Sequence, residues 1–149
     1  MKIAVGCDHA GYELKSQLIA WLKSEGHEIA DVGTHSLEAA DYPDFARATG
    51  AEVAAGRTER GLVVCGSGVG ACVAANKIKG IRAGVCHDTF SARQGVEDDD
   101  MNTLCLGARI IGIELAKDVL RAFLSAKFSN LDRHVRRLNK VLEIEKQGS

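Results

Sequence analysis

Short apolar runs alternate with longer amphipathic stretches along this chain, and that alternation limits its fold more than any other feature. The apolar runs cover residues 2–6, 28–32, 61–64, 81–85 and 103–106. They are mostly continuous in apolar character, as strands buried on both faces must be. Between them lie stretches of helical period. Leu14, Leu18, Trp21 and Leu22 stripe the first, and Gly26 is placed to end it. Residues 42–55 form a second with Pro43 in its first turn, 69–78 a third and 91–97 a short fourth. Leu115, Val119, Phe123 and Leu124 stripe a fifth. The pattern predicts an α/β fold of three layers, Rossmann-like, around a five-stranded parallel sheet with right-handed crossovers. A length of 149 residues makes residues 1–149 a single domain.

A last helix is expected over 132–145. Val135, Leu138 and Leu142 share one face, while Arg133, Arg136, Arg137 and Lys140 share the other at i, i+3, i+4, i+7 spacing. Such a stripe is either a solvated face or an anion-binding one. A formal net charge of −1 gives no bulk attraction to nucleic acid or to an anionic membrane surface, so any anion site must be local. No apolar run is long enough to span a bilayer, and the one at the N-terminus is too short for a signal peptide. Five cysteines without a CxxC pair argue against a disulfide framework or a thiolate metal site and fit a reducing cytoplasm.

In parallel α/β sheets, ligands bind beyond the carboxyl ends of the strands. The first strand runs into Cys7, Asp8 and His9, the third into Cys65 and the loop Gly66-Ser67-Gly68-Val69-Gly70, and the fourth into Cys86, His87 and Asp88. The acidic stretch 97–100 lies just before the fifth and is expected at the same edge. The glycine loop turns backbone N–H groups toward a phosphate or an oxyanion at a helix start. It is otherwise a tight strand-to-helix turn. Cys65 precedes it, and a thiol beside a helix N-terminus is favoured as the thiolate, which can remove a carbon-bound proton. The other four cysteines read as buried structural residues. Asp8 serves as an acceptor for sugar hydroxyls or as a helix cap, and His9 as a phosphate ligand or a structural residue.

These residues resemble the ribose-5-phosphate isomerase B family, which also includes the galactose-6-phosphate isomerase subunits. The likeness runs through GCDHAG at 6–11, DYPDFA at 41–46 and CGSGVG at 65–70. It continues through AANKIKGIRA at 74–83, MNTLCLGARIIG at 101–112, and the RHxxR pattern of Arg133, His134 and Arg137. The resemblance implies a cytoplasmic homodimer, or a tetramer, that isomerises ribose 5-phosphate and ribulose 5-phosphate without metal or other cofactor. Cys65 would be the base, moving a proton between C2 and C1, with the amides of Gly66, Gly68, Val69 and Gly70 holding the enediolate and Ser67 nearby. Asp8, His9, Tyr42, Asn76, Arg109, Arg133 and Arg137 match residues at or near the substrate. His9, Arg133 and Arg137 are the phosphate candidates, with the arginine-bearing last helix docked on a partner subunit and serving its site.

The chain departs from the family where HNDxN is usual, reading Asp98-Asp99-Asp100-Met101-Asn102. Asp98 stands where the family's ring-opening histidine does, and Asp99 where an asparagine contacts substrate. Glu97, Asp99 and Asp100 crowd Asp98, and neighbouring like charges favour a protonated carboxyl that can open a sugar ring. Two other readings remain: isomerisation of a tetrose or hexose phosphate, and a non-catalytic nucleotide- or sugar-phosphate-binding module. The nucleotide-binding case rests on Gly66-x-Gly68-x-x-Ala71 with Asp88 beyond it. That fingerprint normally follows the first strand of its unit, and here it follows the third.

Overall fold

A computed structural model of the chain describes residues 1–148. Five strands, β1 (Lys2–Cys7), β2 (Glu28–Gly33), β3 (Arg60–Cys65), β4 (Ala83–Val85) and β5 (Thr103–Gly107), form one sheet in the order β2-β1-β3-β5-β4. Every pairing is parallel. Six α-helices accompany them among the described residues: α1 (Tyr12–Ser24), α2 (Tyr42–Ala54), α3 (Val69–Ala75), α4 (Thr89–Asp99), α5 (Ile113–Ser125) and α6 (Asp132–Gln147).

The pleat sorts the strand residues into two cores. Ile3, Val5, Leu62, Val64, Leu104 and Leu106 face one way and pack on α1, α4 and α5, with Leu18, Leu22, Val96, Leu120 and Phe123 buried among them. On the opposite face Val63, Cys65 and Cys105 meet α2 and α3 through Ala46, Ala71 and Ala75. Small residues on that second face let α3 lie close to the sheet. The expected stripe on α5 holds at Val119, Phe123 and Leu124 and fails at Leu115. Leu115 is 42% exposed, and Ala116, Val119, Leu120, Phe123 and Leu124 form the buried face.

Two elements are shorter than their apolar runs. The helix expected over 69–78 ends at Ala75, because the Asn76 amide turns to the backbone of Ala83, donating to its carbonyl at 2.9 Å and accepting from its N–H at 2.8 Å. The strand expected over 81–85 starts only at Ala83. Ile81 N–H closes the preceding turn on Ile78 O at 3.1 Å, and Arg82 is taken by side chains of the α4–β5 connection. Arg82 N–H donates to Asn102 Oδ1 at 2.8 Å, and the Arg82 guanidinium donates to Asp100 Oδ2 at 2.9 Å. The fourth helix is longer than the expected 91–97, because Asp88 caps it by accepting from Ser91 N–H at 2.7 Å.

Of the apolar face expected on α6, Val135 and Leu138 are half-buried and Leu142 is exposed. His134 is its one buried residue among those described, whereas Val141, Leu142 and Ile144 are exposed. The opposite face is not purely cationic either, since Arg136 and Lys140 share a shallow groove with Asp132 and Glu143.

Candidate active site

The site is built where β3 runs out. After Cys65 the chain turns through Gly66 and Ser67 to Gly68, whose φ of +81° is a left-handed conformation that a side chain would strain. That turn brings the Gly68 N–H to 3.1 Å from Cys65 Sγ, as a donor to the sulfur. Ser67 Oγ accepts from Val69 N–H at 3.2 Å at the start of α3. The loop is fastened to the turn after β5: Ala108 N–H donates to Cys65 O at 2.8 Å and Arg109 N–H to Gly66 O at 3.0 Å. These bonds place Arg109 over the loop, so closely that a Cβ on Gly66 would lie 3.2 Å from its Nη1.

Three further residues close a cavity of about 340 Å³ around the Cys65 thiol. Tyr42, the first residue of α2, lays its ring against Gly70, where a Cβ would come within 2.8 Å of Cζ. Asp8 enters from the end of β1, and its Oδ1 accepts from the N–H groups of Ala10 and Gly11 at 3.0 and 3.2 Å. It is therefore both a cap and a wall of the cavity. Ile110 supplies an apolar wall that the residue pattern did not single out. It follows Arg109 in the same turn, and only that adjacency could have marked it.

His9 follows Asp8 at this edge, and its orientation comes from a distant loop. Its Nδ1 lies 3.1 Å from Ala40 N and 3.3 Å from Ala40 O, so the backbone of that residue anchors the ring. His87 is also at this edge, but its Nε2 accepts from Gly107 N–H at 2.9 Å and is spent on holding β5.

Other expected site residues stand elsewhere in the chain. Parallel register aligns Gly61 with Thr103 and Cys65 with Gly107, so the acidic stretch before β5 lies at the amino ends of the strands. The expectation that it shares an edge with Cys65 is corrected: residues preceding a parallel strand and residues following one occupy opposite ends of the sheet. There Asp98 Oδ1 lies 3.5 Å from His134 Nε2 of α6, and Ser129 Oγ bonds His134 Nδ1 at 2.5 Å. Helix α6 is held on that side at its far end too, where Glu145 Oε1 accepts from Gly80 N–H at 2.9 Å. Arg133 and Arg137 ride on α6, and neither lines the Cys65 cavity. Asn76 and Asp99 line a groove against α6 instead.

The cysteines divide by environment. Burial pushes the Cys7 and Cys86 thiols up to about 11 each. Cys105 is raised well above the usual thiol range by its hydrogen bond to Cys72 and by burial. Cys72 departs from the structural reading. It is only partly buried, and the hydrogen bond from Cys105 first, aided by the Asn76 amide, brings its thiol down to about 7.

A thiol on the cavity floor, amides and a hydroxyl beside it, and a carboxylate and a guanidinium on the walls define a class. It is a three-layer α/β enzyme whose site suits proton transfer on a small, polar, anionic molecule. The family model described as Ribose/Galactose Isomerase matches residues 3–141. Ribose-5-phosphate isomerase B of Escherichia coli (strain K12) is 42% identical over 146 residues, covering 98% of this chain and 97% of that protein. D-erythrulose-4-phosphate isomerase of Pectobacterium atrosepticum is 39% identical over 129 residues, covering 86% and 85%. The solved structure of Clostridium thermocellum ribose-5-phosphate isomerase B superposes with a TM-score of 0.98 at 46% identity, over 100% of both chains. The chain belongs to this ribose/galactose isomerase family and is a sugar-phosphate isomerase of the ribose-5-phosphate isomerase B type.

Proposed function

We propose that this enzyme interconverts ribose 5-phosphate and ribulose 5-phosphate through a cis-enediolate, with Cys65 as the base. The observation that carries the reading is the Cys65 thiol on the cavity floor, receiving the Gly68 N–H at 3.1 Å. A thiolate there removes the C2 proton of the open-chain aldose, and the electron pair moves to the carbonyl oxygen. Amides of Gly66, Gly68, Val69 and Gly70 hold the enediolate oxygens, the hydroxyl proton passes from O2 to O1 beside Ser67, and Cys65 returns the carbon-bound proton at C1. Asp8 accepts from sugar hydroxyls, Tyr42 closes one side, and the His9 imidazole and the Arg109 guanidinium face the phosphate.

The working enzyme in this reading is a cytoplasmic homodimer. Asp98, Asp99, Arg133 and Arg137 sit at the end of the chain remote from Cys65, and α6 leaves Val141, Leu142 and Ile144 exposed. A second copy docked through α6 supplies those residues to the first copy's cavity: Arg133 and Arg137 for the phosphate, Asp98 to protonate the ring oxygen, and Asp99 as a contact. Asn76, in the groove against α6, completes the substrate shell.

A tetrose phosphate is the second reading, and Asp98 is what favours it. A tetrose 4-phosphate cannot close a furanose through its phosphorylated oxygen, so it needs little ring opening. The test is an activity screen over four-, five- and six-carbon aldose and ketose phosphates without added metal. Highest kcat/KM on ribose 5-phosphate supports the proposal, and highest kcat/KM on erythrose 4-phosphate replaces it with the second reading.

A further inference from the structure

Lys15, in the second turn of α1, is only 1% exposed, and the proposed chemistry makes no use of it. Its Nζ stands over the Tyr12 ring, 5.7 Å from the centre. It donates to Asp31 Oδ1 in β2 at 2.7 Å and to Thr34 O, just past the end of β2, at 2.6 Å. Asp31 Oδ1 also accepts from Gly33 N–H at 3.0 Å, and Asp31 Oδ2 lies 3.8 Å from His35 Nδ1 at the surface.

A buried ammonium is costly to desolvate, and an apolar side chain of similar volume is often neutral for stability in its place. What an apolar side chain cannot do is grip the Thr34 carbonyl. Thr34 is the root of the loop from β2 to α2, and its N–H donates to the carbonyl of Cys7, the last residue of β1, at 2.8 Å. Lys15 ties that root to α1 on one side, and Cys7 ties it to β1 on the other. From there residues 35–39 run exposed to solvent as far as Ala40, whose backbone anchors the His9 ring. His9 itself belongs to the turn that opens into α1. The contacts close a ring, from α1 through Lys15 to Thr34, along the loop to Ala40, and through His9 back to the start of α1.

We propose that Lys15, paired with Asp31, is a positioning residue for substrate, fixing the loop whose Ala40 sets the His9 ring toward the phosphate. The inference rests on the reading of His9 as a phosphate contact. Lys15 touches neither substrate nor Cys65 and acts only through the loop. A loop fastened at its root has given up much of its freedom before substrate arrives, so binding does not have to order it.

The test replaces Lys15 with methionine, which keeps an unbranched stem of similar length and removes the charge. KM for ribose 5-phosphate and Kd for inorganic phosphate should each rise by roughly 10-fold, as for loss of a charge-assisted hydrogen bond, with kcat nearly unchanged. In a His9→Ala background Lys15→Met should add little to either constant, because the group it positions is gone. The ring-nitrogen signals of His9 in isotope-labelled enzyme, assigned by their loss in His9→Ala, should shift or broaden, while those of His87 stay. If Lys15→Met does not fold, Asp31→Ala carries the same readouts, since that side chain is 35% exposed and its loss strips the ammonium of its carboxylate. Unmoved His9 signals in the folded variant would overturn the proposal, as would a phosphate Kd that rises equally with and without His9. A lower Tm with His9 and phosphate affinity unmoved would mark Lys15 as structural and overturn it too. Failure of the underlying reading shows separately, as an unchanged phosphate Kd in His9→Ala alone.

Discussion

The ring of Tyr42 lies directly on Gly70, close enough that a single added methyl would overlap it. A Cβ at position 70 would stand 2.8 Å from Tyr42 Cζ, well inside contact distance. Helix α2 thus delivers an aromatic wall to a loop belonging to α3, and the fit depends on the absence of a side chain. Gly70→Ala is expected to push Tyr42 out of place and to lower kcat/KM on ribose 5-phosphate by roughly 10-fold or more, since displacements on the order of 1 Å carry such costs. Thermal stability should change little, because alanine in place of glycine in the first turn of α3 adds up to about 1 kcal/mol of helix propensity that offsets the strain. Unchanged kcat/KM in a folded Gly70→Ala enzyme would remove Tyr42 from the site.

Arg133 and Arg137 lie on α6, whose ends are bonded to Asp98 and to Gly80 at the side remote from Cys65. If they reach phosphate in a neighbouring copy, Arg137→Ala should raise KM by roughly 10-fold or more while kcat holds. Mixing Cys65→Ser chains with Arg137→Ala chains should then restore activity, since each heterodimer carries one site free of both lesions. Proven heterodimers without recovered activity would show that the site is not shared.

The carboxylate of Asp98 stands 3.5 Å from His134 Nε2, on the opposite side of the sheet's end from the thiol of its own chain. If Asp98 opens sugar rings in a partner's site, Asp98→Asn should lose activity on ribose 5-phosphate and keep most of it on erythrose 4-phosphate. Equal loss on both substrates would assign Asp98 to binding, and no loss on either would leave it to its contact with His134.

The thiols should also separate by pH. Alkylation follows the thiolate, whose fraction rises as pH passes upward through the pKa. Cys72, brought down to about 7 by the Cys105 hydrogen bond, should react with iodoacetamide at a rate that climbs between pH 6 and 8 and then levels. Cys7 and Cys86, pushed up to about 11 by burial, should stay unlabelled throughout that window in the folded protein. Peptide-resolved labelling measures both in one experiment, and Cys72 labelling that keeps rising above pH 9 would contradict the assigned environment.

Most of the sheet was legible because central parallel strands must be apolar on both faces, and Ile3–Val5, Leu62–Val64 and Leu104–Leu106 read that way without context. The Cys65–Gly70 loop was legible because thiol, glycines and helix start are adjacent in the chain. What escaped depends on contacts between distant segments. Asp98 was expected beside Cys65, although a residue preceding a parallel strand must lie at its other end. His9 takes its orientation from Ala40, 31 residues away in a loop with no periodic signal. Cys72 looked like any buried cysteine, and its character comes from Cys105 across the α3–β5 contact. Nor does the α6 period tell what its apolar face meets, and within one chain Ile144 remains 69% exposed.

The central claim is that Cys65 moves the proton, and steady-state kinetics of Cys65→Ser on ribose 5-phosphate tests it most directly. A hydroxyl is too weakly acidic to replace the thiol, so kcat should fall by the 10²- to 10⁴-fold typical of a lost general base, roughly speaking, while substrate affinity by direct titration stays near the wild-type value. Wild-type turnover in deuterated water should place deuterium on the carbon next to the carbonyl, and the variant should not. A folded Cys65→Ser enzyme that keeps most of its kcat would contradict the assignment.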